Sequence, residues 1–275
     1  METQSLAPDP NQIQTLTRVN LQDMLDNFGL GDLRRGRRLV EQALRSPARR
    51  LAHQVAQFDQ RIGAIGLSDA ARELLFTYIK RLEIIGAENI PATGGLVIAA
   101  NHPGMMDTLA CFASIPRADL RVVSADRAFL RALPNIARRM FWVSDKPSAR
   151  LTVVRQVARF LQNGGAVLIC PAGRIEPDPA VMPGAIESLR DWSDSLGLFV
   201  RLAPESVIVP TVISSVVYRS ALYNPLTRLR RENKDRERAA ATIQAFLHSI
   251  GYLRTRMQVR IEFGIDLFSL SGTTL

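Results

Sequence analysis

The chain has 275 residues, 47% of them hydrophobic, and a formal net charge of +9. That is enough for a sizeable core, either as one large domain or as a core domain with a small appendage. The charge points to an anionic partner, a membrane surface or a phosphorylated substrate. With aromatic residues at only 6%, no zinc-like spacing and no RNA-binding aromatic signature, nucleic acid is not expected.

Residues 1 to about 14 are polar, carry Pro8 and Pro10, and read as loose. From Leu16 to roughly Arg81 the apolar spacing is helical. Leu39, Val40, Ala43 and Leu44 mark one face, Leu51, Val55 and Phe58 another, and Leu74, Leu75, Tyr78, Ile79 and Leu82 a third. Pro47 is expected to divide two of these helices, and Ser68 to cap the last. From residue 82 short β-rich runs alternate with helical stretches. The strands are expected at 82–85, 96–100, 121–124, 141–144, 166–170, 207–213 and 258–263. Helices are expected near 107–115, 148–163, 184–196 and 235–250. The division is a helical N-terminal region over 1–81 and an α/β domain over 82–275, with a mainly parallel sheet flanked by helices.

No charged stretch followed by an apolar one opens the sequence, so no secretory signal is expected. No apolar run approaches the ~20 residues of a membrane span. The longest, Val207 to Val217, is broken by Pro210 and Ser214-Ser215 and reads as a buried strand. Cys111 and Cys170 sit in apolar company and read as buried, reduced thiols.

The chemistry concentrates in Asn101-His102-Pro103-Gly104-Met105-Met106-Asp107, directly after the apolar run Leu96 to Ala100. Imidazole is the side chain best suited to move a proton near neutral pH. A carboxylate beside it fixes its tautomer and stabilises the imidazolium. Five residues of continuous helix turn through about 500°, so the two side chains would not share a face. Pro103-Gly104 removes the difficulty: His102 can occupy the turn and Asp107 the first turn of the following helix. Free N–H groups at that helix start could also meet an oxyanion. In open α/β sheets functional groups gather at the carboxyl ends of strands. His102 lies past one such end, and Gly173 and Arg174 past another.

Leu82 to Pro91, Gly94-Gly95, and Val97 through Asp107 together resemble the opening of the glycerolipid acyltransferase family, whose signature is His, any four residues, Asp. Later blocks follow in the family's order. Ala125 to Leu130 is similar to the basic segment, with Arg127. Phe141 to Lys146 is similar to the second block, Cys170-Pro171-Ala172-Gly173-Arg174 to the third, and Val209 to Ile213 to the fourth. The match covers roughly 82 to 265.

The resemblance implies that His102 is a general base oriented by Asp107. It would deprotonate an acceptor hydroxyl that attacks the thioester of an acyl-CoA or acyl carrier protein. Gly173, Arg174, Lys146 and Arg127 would bind the acceptor, a glycerol-phosphate or lysophospholipid. No cofactor beyond the thioester and no metal is implied. The third block departs from the family at Ala172, where a Glu is usual, which puts the lysophosphatidate specificity in question. Glu176 is close in sequence and a candidate substitute.

His53 and His248 lie in surface-like helical patterns and are not expected at the site. The run Arg228 to Arg238 is interleaved with acids and reads as a solvated helix. Arg34, Arg35, Arg37 and Arg38, with Arg49 and Arg50, have fewer acids nearby and suit an anionic lipid surface. The expected location is cytoplasmic, peripheral on the inner face of a membrane. The alternative is a non-catalytic lipid- or membrane-binding protein on the same fold, for which Ala172 leaves room.

Overall fold

The computed structural model describes residues 8–104, 106–144, 147–224, 227, 233–249 and 257–267. Three helices precede the sheet: α1 (Pro10–Asn27), α2 (Arg37–Ile65) and α3 (Leu67–Tyr78). Helix α1 starts earlier than its polar sequence suggested. Asp9 accepts the Asn11 N–H at 3.0 Å, and Pro10 takes the first helical position, where its missing N–H costs nothing. Pro47 does not divide α2. It is buried, and its neighbours Leu44 and Ala48 pack against Met24 and Leu25 of α1. Asn20 Nδ2 donates to the Ala48 carbonyl at 3.1 Å. This packing outweighs the ~3 kcal/mol that a proline costs inside a helix. Nor does Ser68 cap α3. Gly66, at φ +90°, holds that position, and Ser68 Oγ reaches the Ala113 carbonyl instead. The helix ends at Tyr78, so Ile79 and Leu82 belong to the first strand.

Seven strands form one sheet: β1 (Ile79–Ile85), β2 (Leu96–Ala100), β3 (Arg121–Ala125), β4 (Met140–Val143), β5 (Ala166–Ile169), β6 (Val207–Ser214) and β7 (Met257–Phe263). Their order is β1-β7-β6-β2-β5-β3-β4. Every neighbouring pair is parallel except β6 with β7. At the centre, Ile98 of β2 sits opposite Leu168 of β5 and Val209 of β6. Strand β2 is buried on both faces, as a central parallel strand must be. Leu96, Ile98 and Ala100 face a cluster shared with α1 to α3 and α4 (Met106–Ser114). Val97 and Ala99 face α7 (Pro147–Gln162) and α9 (Ser195–Leu202). Gly95 precedes β2 because nothing larger fits: a Cβ there would lie 2.6 Å from the Leu161 carbonyl oxygen.

Shorter helices fill the connections: α5 (Ala128–Arg131), α6 (Pro134–Ala137), α8 (Ala185–Ser188) and α10 (Arg219–Leu222). Helix α11 (Asn233–Ser249) follows them. Asp59 of α2, fully buried, accepts the Asn135 and Ile136 N–H groups and so fixes the start of α6. The helix expected over 184–196 is broken. Trp192 is extended there, and α9 starts only at Ser195.

Arg117 closes the end of the sheet away from the strand exits. Its guanidinium donates to the carbonyls of Pro91, Gly94 and Gly164 at 2.7–3.1 Å and pairs with Asp119. Arg117→Met is expected to destabilise the fold by roughly 2–4 kcal/mol, because buried carbonyls lose their donors. Urea unfolding measures it; a wild-type midpoint would show that these bonds contribute nothing net.

Candidate active site

Strands β6, β2 and β5 are adjacent and parallel, so the loops leaving their carboxyl ends meet at one edge. The loop after β2 carries His102. Asp107 lies in the first turn of α4, and its Oδ2 is 2.8 Å from His102 Nδ1. The side chain of Asp107 is 1% exposed, that of His102 31%. Asp107 Oδ2 also accepts the Gly104 N–H at 2.8 Å, and Oδ1 accepts the Thr108 N–H and hydroxyl. Two N–H groups at the helix start therefore go to Asp107 and are not free for an oxyanion.

A carboxylate so fully supplied with donors accepts from Nδ1–H. The imidazole lone pair is then on Nε2, which has no hydrogen bond among the described residues. Asp107 raises the His102 pKa above the ordinary 6.5 by its charge and its hydrogen bond, against burial; Glu176 adds to the rise. Asn101, next to His102, is locked to β6. Its amide donates to the Ile213 carbonyl at 2.9 Å and accepts the Ile213 N–H at 2.7 Å.

Sequence reasoning left Glu176 as a guess and missed Asp178. Both are fully buried. Glu176 Oε2 accepts the His102 N–H at 3.0 Å, and the Glu176 N–H donates to the His102 carbonyl at 2.9 Å. Its Oε1 accepts the Trp192 Nε1–H at 2.9 Å and lies 3.1 Å from Ser188 Oγ. These inward contacts accompany the break between α8 and α9. Asp178 accepts three successive N–H groups after β6, from Ser215, Val216 and Val217, at 2.7–3.0 Å. Ser215 has φ 61°, a conformation costing roughly 1–3 kcal/mol for a residue with a side chain. The only signal in the sequence was two acids in a Pro-containing loop just past β5.

The other anticipated residues are not drawn to His102 by direct contact. Gly173 sits in a left-handed turn at φ 64°, with its N–H on the Cys170 carbonyl at 3.0 Å. Arg174 follows it and is ion-paired with Asp191. Arg127 is exposed just before α5; burial pushes the Asp23 carboxyl of α1 up, and the Arg127 charge opposes that rise. Lys146 lies outside the described residues, as do 228–232; the rest of the basic run, from Asn233, is helical. His248 is not surface-like: it is buried edge-on against Tyr78, ring centroids 5.1 Å apart, and burial pushes its pKa down. His53 is half-buried on α2. Cys111 is buried and Cys170 partly exposed, and burial pushes both thiols well above 9.0, which makes them poor nucleophiles. Among the described residues, no group of three or more His, Cys, Asp or Glu side chains could hold a metal ion.

Among solved structures, PlsC, the 1-acyl-sn-glycerophosphate (LPA) acyltransferase from Thermotoga maritima, is 16% identical, with a TM-score of 0.43. The similarity covers 96% of this chain and 86% of that one. No curated protein matches the chain. The acyltransferase family model matches residues 81–214, ending at β6 rather than near 265.

The Asp107 charge and hydrogen bond make a titration prediction. His102 binds its proton more tightly folded than unfolded, so the coupling stabilises the fold fully below about 6.5 and less as pH rises through the folded midpoint. Asp107→Asn should move the His102 midpoint, read by NMR, to lower pH. An unmoved midpoint would contradict the pairing. Residues 81–214, which carry His102 and Asp107, are the part of the chain that matches the acyltransferase family model.

Proposed function

We propose that this protein transfers a fatty acyl group from an acyl thioester, acyl-CoA or acyl carrier protein, to a hydroxyl of a glycerol-phosphate or lysophospholipid-like acceptor. One observation carries the reading: in a segment that matches the acyltransferase family model, an imidazole rests by Nδ1 on a buried carboxylate and leaves Nε2, at the strand exits, without a hydrogen bond among the described residues. Nε2 takes the acceptor's hydroxyl proton as the oxygen attacks the thioester carbonyl. The tetrahedral intermediate then collapses, the C–S bond breaks, and the imidazolium returns the proton to the leaving thiolate. One ester forms, one thioester is consumed, and no acyl-enzyme is needed.

Arg174 is the proposed phosphate ligand of the acceptor: it would exchange the Asp191 carboxylate for a phosphate, which the guanidinium fork can hold bidentately. Lys146 and Arg127 are proposed to assist. His102→Ala should lower acceptor-dependent thiol release by ~10²–10⁴-fold in a folded protein. In the same assay Arg174→Ala should raise KM for phosphorylated acceptors only. Wild-type turnover in His102→Ala sinks the mechanism. No acceptor-dependent release by the wild type, with lipid still bound, would leave the non-catalytic alternative.

We further propose that the helical region docks on the cytoplasmic face of an anionic membrane. Arg34, Arg35 and Arg38 are exposed at the start of α2, and Leu39 beside them is 74% exposed. Arg37 is partly occupied, by Glu41 at 2.7 Å and the Gly31 carbonyl at 2.9 Å. Next to them a groove of about 1020 Å³ between α1 and α2 is lined by Arg18, Arg38, Arg45 and Arg49. Among the described residues no helix is long and apolar enough to cross a membrane. Exposed charges are screened within about 10 Å at 0.1 M salt. Co-sedimentation should therefore favour anionic over neutral liposomes and weaken as salt rises. Equal binding to both at every salt level would rule out electrostatic docking.

A further inference from the structure

We infer that Glu176 is the positioning residue of this site: its carboxylate fixes the main chain of His102 and places a second negative charge behind the imidazole. The assignment deepens the reading of His102 as the base and rests on it.

Glu176 is gripped by His102 at two points. Its own N–H holds the His102 carbonyl at 2.9 Å, and its carboxylate holds the His102 N–H at 3.0 Å. Both peptide groups flanking the catalytic side chain are therefore set by one residue, 74 positions further along the chain. The carboxylate is set in turn by Trp192 Nε1 and by Ser188 Oγ, whose hydrogen it shares with the Ala185 carbonyl at 2.8 Å. These groups come from the broken helix between β5 and β6. Glu176 is 0% exposed, and no cationic side chain pairs with it among the described residues. A buried carboxylate without a counter-cation is costly. The one group nearby that becomes cationic during proton transfer is His102.

Asp178, two residues on, completes the device. It holds the strained Ser215 turn, and that turn lays Val216 and Val217 over Gly104. A Cβ on Gly104 would lie 3.6 Å from a methyl of each. The Glu176-Pro177-Asp178 segment thus ties the exit of β2 to the exit of β6. It does so from the loop in which Ala172 leaves the family's usual carboxylate position empty. Among the described residues, the titratable groups facing His102 are Asp107 and Glu176. Cys170 and Cys111 lie behind Asp107, their thiols pushed up and so uncharged near neutral pH.

The test needs a readout that loose packing would not move. The protein has three histidines, and the His102 ring signal is identified by its loss in His102→Asn. Glu176→Gln keeps the shape and removes the charge. It should shift the His102 midpoint to lower pH and lower kcat by about 10–100-fold, the usual cost of a displaced catalytic group. Acceptor KM should stay within about 2-fold. Glu176→Asp keeps the charge but shortens the reach. It should hold the His102 midpoint above that of Glu176→Gln while kcat still falls.

If Glu176→Gln fails to fold, Trp192→Phe carries the test. Loss of one donor to Oε1 should lower kcat about 3–10-fold, the kinetic equivalent of one hydrogen bond, with KM unchanged. Wild-type midpoint and kcat in folded Glu176→Gln, or wild-type kcat in Trp192→Phe, overturns the assignment. The titration uses no substrate, so it separates the two claims. A shifted midpoint in a protein that transfers no acyl group would sink the acyltransferase reading and keep the electrostatic link. Acyl transfer with an unshifted midpoint would do the reverse.

Discussion

The burial of Asp107 is the constraint on which the rest of the site depends. A carboxylate 1% exposed must find donors or give up its charge. It finds four: the His102 ring, the Gly104 N–H, and the N–H and hydroxyl of Thr108. Meeting them bends the chain back between β2 and α4, and that bend brings two side chains five residues apart into contact. The same bonds set the tautomer, raise the His102 pKa and direct the free lone pair away from the carboxylate. Local folding and chemistry are here the same set of hydrogen bonds.

Such a turn is only as firm as what lies behind it. Parallel strands β6, β2 and β5 send their loops to one edge, so each can brace the others. Asn101 ties the exit of β2 to β6, Glu176 ties it to the loop after β5, and Asp178 ties that loop back to β6. All three are buried polar groups with their partners met, which adds rigidity where a half-satisfied network would subtract it. At the opposite end Arg117 does the corresponding work for the strand entrances. The helical region is joined to the same body through Asp59 and a shared apolar cluster.

The sheet was legible because buried strands announce themselves. All seven runs appear within a few residues of their expected places, Leu96–Ala100 without any shift. The His102–Asp107 contact was legible because Pro103-Gly104 admits only a turn between strand and helix. What failed was what tertiary contacts decide. Pro47 looks like a helix breaker until α1 packs on it. Ser68 looks like a cap until Ala113 offers its carbonyl. His248 looks like a surface residue until Tyr78 and Tyr218 enclose it. Asp178 reads as an ordinary loop acid, and Glu176 only as a candidate substitute for the family's Glu, because the backbone groups they hold lie 37 to 74 residues away. Arg174 was correctly placed past a strand end, but nothing in its neighbourhood of sequence revealed Asp191 as its partner.

The account makes His102 a base in a direct transfer, with both cysteines held as inert thiols. Mixing the protein with a stoichiometric amount of acyl thioester and no acceptor tests this most directly. The account predicts no burst of free thiol and an unchanged protein mass, followed by rapid thiol release on adding a phosphorylated hydroxyl acceptor. A stoichiometric burst of thiol with an acyl group added to the protein, on Cys170 or elsewhere, would contradict it.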